Sequence, residues 1–146
     1  MRLFALLLNF AIVYMLVGLI LTIHFVHYPS FRFQEENFAA FHNFHTNAIS
    51  KVVVPMMLAE LAINCILVVM LWQTQLRLFA LAALLCTLSI WGVTFLMAVP
   101  AHTQLGQGFS HKTISQLLDA DRIRTILWVI GACIVSVTTW RYLHEF

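Results

Sequence analysis

LFALLLNFAIVYMLVGLILTI, residues 3–23, decides the fold class, because it runs its whole length without a charged side chain. A helix rises about 1.5 Å per residue, so about 20 apolar residues cross the hydrocarbon core of a bilayer. The apolar core of a signal peptide is shorter, about 7–15 residues, and ends in a small-residue cleavage motif. No such motif follows here. The stretch therefore reads as a retained transmembrane helix over residues 3–28, stopped by Pro29, which cannot continue a hydrogen-bonded turn.

Three further runs have the same character: residues 52–72, 78–101 and 123–140. Backbone groups left unpaired in lipid are costly, so helices are the form these runs must take. The chain is thus expected to be all-α, a single four-span transmembrane domain over residues 1–146, folded as an up-down integral membrane four-helix bundle. Its composition agrees, with 62% hydrophobic and 10% charged residues and a mean hydropathy of +0.90, against about 25% charged residues in soluble domains. The lipid bilayer is the first partner implied. A net charge of +2 without any basic run gives nucleic acid no footprint.

The connections differ. Gln73–Arg77 is a tight hairpin between spans two and three, whereas Pro29–Lys51 and His102–Arg122 are long and lie together on the opposite side. Residues 33–48 carry Phe33, Phe38, Phe41 and Phe44 and are expected to form a short amphipathic helix between spans one and two. Ser110 is placed to cap another short helix reaching Leu118. Arg32, Lys51, Lys112, Arg122 and Arg124 outnumber Arg2, Arg77 and Arg141, which places the long-loop side in the cytoplasm unless some of these residues build a site. Cys65, Cys86 and Cys133 fall inside spans, form no CxxC pair and read as small apolar core residues. Trp72 and Trp140 suit interfacial belts, while Trp91 and Trp128 lie deeper.

The polar residues collect at the long-loop end. His24 and His27 close span one, His42 and His45 precede span two, His102 follows span three and His111 precedes span four. Each of the first two pairs is spaced by three and so shares a helical face. Glu60 lies about 12 Å into span two, with Asn64 one turn deeper. A carboxylate at that depth needs a partner, a proton or a metal, and Arg124, entering from the same side, is a candidate for an ion pair with it. His24, His27, His42, His45 and His102 are candidate metal ligands. With Glu60 they suit iron, copper or zinc, and two histidines from different helices suit axial haem ligation. The more specific His-Glu-x-x-His zinc motif is absent, as are a G-x-S-x-G elbow and a phosphate-binding glycine loop.

Three stretches carry a family resemblance: Val17-Gly18 through His27-Tyr28-Pro29, His45-Thr46-Asn47-Ala48-Ile49 leading to Val54-Pro55, and Val99-Pro100 followed by Asp121-Arg122-Ile123-Arg124-Thr125. Together they resemble the anthrone-oxygenase-like family of small four-helix membrane proteins, in which Arg-Thr commonly opens the last helix. The resemblance implies oxidation of anthrones to anthraquinones with molecular oxygen, site roles for Arg124 and Asn47, and a bacterial inner membrane. The histidine-rich end departs from the family pattern, and Asp121 stands where asparagine is common. Two function classes follow. The first is an oxidoreductase or oxygenase for a lipophilic aromatic or quinone-like molecule, with Glu60 or a histidine as general base and Arg124 stabilising an oxyanion. The second is a non-enzymatic metal- or haem-binding protein, or a subunit packed in a homo-oligomer or larger membrane complex.

Overall fold

The computed structural model describes residues 1–145. Four helices account for nearly all of them: α1 over Arg2–Phe33, α2 over Phe38–Leu71, α3 over Arg77–Leu105 and α4 over His111–Glu145. All four are long and apolar enough to cross a membrane. Each of α1 and α3 packs against both α2 and α4, so the four form an up-down square. The chain is an all-α four-helix bundle with the character of a multi-pass membrane protein. Large apolar side chains point outward along its length, among them Val69, Leu85, Leu96 and Ile126. Lipid solvates such a surface, so it carries no penalty there.

Pro29 does not stop α1. A five-residue π turn, Ile23–His27, lies just ahead of it, and the helix then continues through Tyr28–Ser30 and a final 3-10 turn, Phe31–Phe33. α3 repeats the device, with a π turn at Thr94–Ala98 directly before the segment that contains Pro100. A proline ring crowds the carbonyl four residues back and offers it no N–H. A widened turn at that point accommodates the ring without breaking the rod.

The two short helices expected in the long connections are not separate elements. Residues 38–48 are the first turns of the 34-residue α2, and the segment after Ser110 is the start of α4. Ser110 caps it as expected, its hydroxyl accepting from the Thr113 N–H at 3.3 Å. Of the four phenylalanines read as one apolar face, Phe38 is buried and Phe41 packs beside it, while Phe33 and Phe44 point outward. The cysteines also depart from expectation. Cys65 and Cys133 are exposed and Cys86 is half-buried. A thiol is small and apolar enough to face lipid as readily as core. Trp72 and Trp140 are exposed, and Trp128 is buried as its depth suggested.

At about 1.5 Å per residue, α2 is about 51 Å long, well beyond a hydrocarbon core of about 30 Å. The tight turn after Leu71 marks one end of the bundle. The surplus length therefore projects at the other end, which is where the histidines are.

A polar ladder ties the bundle at the opposite depth. Asn9 donates to the Asn64 carbonyl oxygen at 3.0 Å, and Asn64 donates to the Thr87 hydroxyl at 2.9 Å, joining α1, α2 and α3. All three residues are buried. Asn64→Leu is expected to lower stability by about 1–2 kcal/mol, the scale of interhelical hydrogen bonds in membranes, read from the denaturant midpoint of the detergent-solubilised chain. An unchanged midpoint would mean the ladder contributes nothing net.

Candidate functional site

The polar end is organised around Phe31, which is fully buried. The rings of His27, His42 and His45 lie 5.5, 5.8 and 5.2 Å from it. The π turn in α1 adds a residue to that turn and so shifts the helical phase. It brings His24, His27 and Tyr28 to face α2, α3 and α4 together. His27 Nε2 lies 2.7 Å from His45 Nδ1. His42 Nε2 lies 3.0 Å from His102 Nδ1, and His102 Nε2 lies 3.0 Å from the Tyr28 hydroxyl. His24 Nδ1 lies 2.9 Å from Asp121 Oδ2. Five of the six histidines expected at this end thus make side-chain hydrogen bonds there, in three groups: His27 with His45, His42 with His102 and Tyr28, and His24 with Asp121. His111 stands apart from them, exposed, with Glu35 4.0 Å away.

Arg124 does not pair with Glu60. Its guanidinium donates to Asp121 Oδ1 at 2.8 Å, and Asp121 is fully buried. Arg124 also interacts with the Tyr28 phenol. Glu60 instead accepts from the Trp128 indole N–H at 3.1 Å. The reason lies in sequence spacing. Asp121 is three residues from Arg124 on the same helix, so the pair forms within α4 without any reach across the bundle. The same spacing was available to detect it. Tyr28 lies within the expected first span, but the π turn that sets its direction leaves no mark in the sequence, and neither do the wall roles of Trp91 and Trp128. Asn47 is exposed on α2, away from this cluster.

Beneath the histidines lies a cavity of about 180 Å³. Tyr28, His102 and Arg124 form its polar wall, Trp91 and Trp128 its aromatic one, and Leu16, Ile20, Val53 and Met57 much of the rest. This exceeds the volume of about 150 Å³ that takes up benzene in a protein core. Glu60 does not line it. Glu60 holds the indole of Trp128 from behind, as a positioning residue for that wall. Glu60→Gln is expected to preserve both fold and cavity, because an amide oxygen also accepts from the indole. Glu60→Leu leaves the N–H buried and unpaired, at about 1–3 kcal/mol. Trp128 emission and the unfolding midpoint together check this, and equal behaviour of the two variants would refute the positioning role.

The hydrogen-bond pattern defines a relay. A neutral imidazole has one donor and one acceptor nitrogen. If Tyr28 donates to His102 Nε2, then His102 Nδ1–H donates to His42 Nε2. Reversing every donor gives the other state, with the Tyr28 hydroxyl hydrogen released toward the cavity. The chain Tyr28–His102–His42 therefore has two complementary proton arrangements. The nitrogens His42 Nδ1 and His45 Nε2, together with Arg124 Nε and Trp91 Nε1, are buried without a hydrogen-bond partner. Among the described residues, no three His, Cys, Asp or Glu side chains converge as a metal site. No protein-family model matches the chain, and neither a curated protein nor a solved structure matches it.

Proposed function

We propose that this chain is a membrane-embedded oxygenase that binds a lipophilic hydroxyaromatic molecule in the cavity, removes a proton from it and lets the resulting anion react with molecular oxygen. The observation that carries the reading is a single wall holding both the Tyr28–His102 end of a proton relay and a buried guanidinium, in a cavity whose remaining lining is apolar and aromatic apart from Ser50 and Thr94. The resemblance to the anthrone-oxygenase-like family points the same way. The substrate proton passes to the Tyr28 oxygen as Tyr28 gives its own to His102, which gives its Nδ1 proton to His42. Arg124, already neutralised by Asp121, stabilises the oxyanion that develops on the substrate. For an anthrone, the carbanion adds dioxygen at the ring carbon and the relay returns the proton to the hydroperoxide anion. Loss of one water then leaves the quinone. One dioxygen is consumed and one oxygen atom enters the product.

The test is oxygen uptake by the purified chain in mild detergent with anthrone, followed together with the anthraquinone absorbance. One dioxygen consumed per quinone formed, above the uncatalysed rate, is expected. A rate equal to that of protein-free micelles overturns the reading. The unpaired nitrogens of His42 and His45 favour a second reading, a metal- or haem-carrying protein, since imidazole ligates iron, copper and zinc. Stoichiometric metal or a haem band in the purified chain, lost on His45→Ala, would establish it.

A further inference from the structure

We propose that the cavity takes its ligand sideways from the lipid, through the opening between α2 and α3, and not from the polar end of the bundle. This rests on the function proposed above. Four of the residues that line the cavity are also exposed on the outer surface: Ser50 and Val54 of α2, Phe95 and Val99 of α3. Val54 is 42%, Phe95 60% and Val99 45% exposed. Three of the four are apolar, so the opening meets lipid and not water.

The other approaches are obstructed. From the polar end, Tyr28, Phe31 and His42 are buried and hydrogen-bonded or packed edge-to-face across the way in. Between α1 and α2 there is a second, outer groove of about 420 Å³, lined by Thr22, Val26, Phe44, Ala48 and Val52. Leu19, Ile23 and Ile49 line both that groove and the cavity, so a layer of aliphatic side chains divides them. The opening between α2 and α3, by contrast, coincides with the π turn Thr94–Ala98, which contains Phe95. Single π turns inside helices are frequent at functional sites. Phe95 also stacks on Trp91 at 5.3 Å, inside the cavity wall. Movement of that one ring widens the opening and reshapes the wall together.

The test uses 1,4-naphthoquinone dissolved in phosphatidylcholine vesicles that contain the full chain. Trp72 and Trp140, both exposed, are changed to phenylalanine so that quenching reports Trp91 and Trp128. Val54→Phe with Val99→Phe narrows the opening. Ala48→Phe fills only the outer groove and serves as the control. We expect the opening variant to slow association and dissociation together by about tenfold or more, with the control unchanged. Unaltered rates in the opening variant, or slowing confined to Ala48→Phe, overturn the lateral route while leaving the cavity reading intact. Absence of saturable quenching in the Trp72→Phe, Trp140→Phe parent overturns the cavity reading and this inference with it.

Discussion

His102→Ala is expected to reduce oxygen-coupled turnover by about 10²–10⁴-fold, the range supplied by a positioned acid–base group. His102 is the middle member of the relay, with both ring nitrogens engaged, one by Tyr28 and one by His42. Its loss severs the path at the residue that touches both ends. Tyr28→Phe should act similarly, since it removes the oxygen that faces the substrate, while His42→Ala should cost less because His102 can still accept one proton. Each variant needs its unfolding midpoint measured beside its turnover, because all three residues are packed at the same end. Wild-type turnover by a folded His102→Ala chain would remove the histidines from the chemistry.

The second large effect concerns stability. Asp121→Ala should cost about 3–5 kcal/mol, the usual consequence of leaving one member of a buried ion pair behind. Arg124 is only 6% exposed and Asp121 is fully buried, so water cannot replace the lost carboxylate. Asp121→Asn should cost less, since an amide oxygen still accepts from the guanidinium. The double variant Asp121→Ala, Arg124→Met should recover most of the loss, because no uncompensated charge remains. Unfolding in mixed sodium dodecyl sulfate micelles gives the comparison. Equal midpoints for the single and double variants would mean that the charge is solvated by some other route.

The four-span architecture was legible because lipid imposes a coarse rule, long uncharged runs, that residues 3–23 and 78–101 satisfy without ambiguity. The gathering of histidines followed from topology alone, since an up-down bundle puts those junctions at one end. What the sequence hid lay in phase and pairing. Proline was read as a stop at Pro29, yet the π turn before it lets the helix run to Phe33. Glu60 and Arg124 looked complementary by charge and depth, but a partner three residues away on the same helix is nearer than one across the bundle. The cysteines were read as core because apolarity and burial coincide in water. In lipid they do not, and Cys65 and Cys133 face outward.

The paired π turns have a further consequence. Each amounts to one extra residue slipped into an otherwise regular rod, which a single inserted codon would supply. Below them, α1 and α3 keep one angular setting against lipid; above them, both are turned by about 100°, the arc one residue occupies in a helix of 3.6 residues per turn. The cluster is in that sense a matter of angular setting more than of composition. Delete Val26, and the same histidines remain on a rod that still spans the bilayer, but with His27 and Tyr28 turned away from His45 and His102.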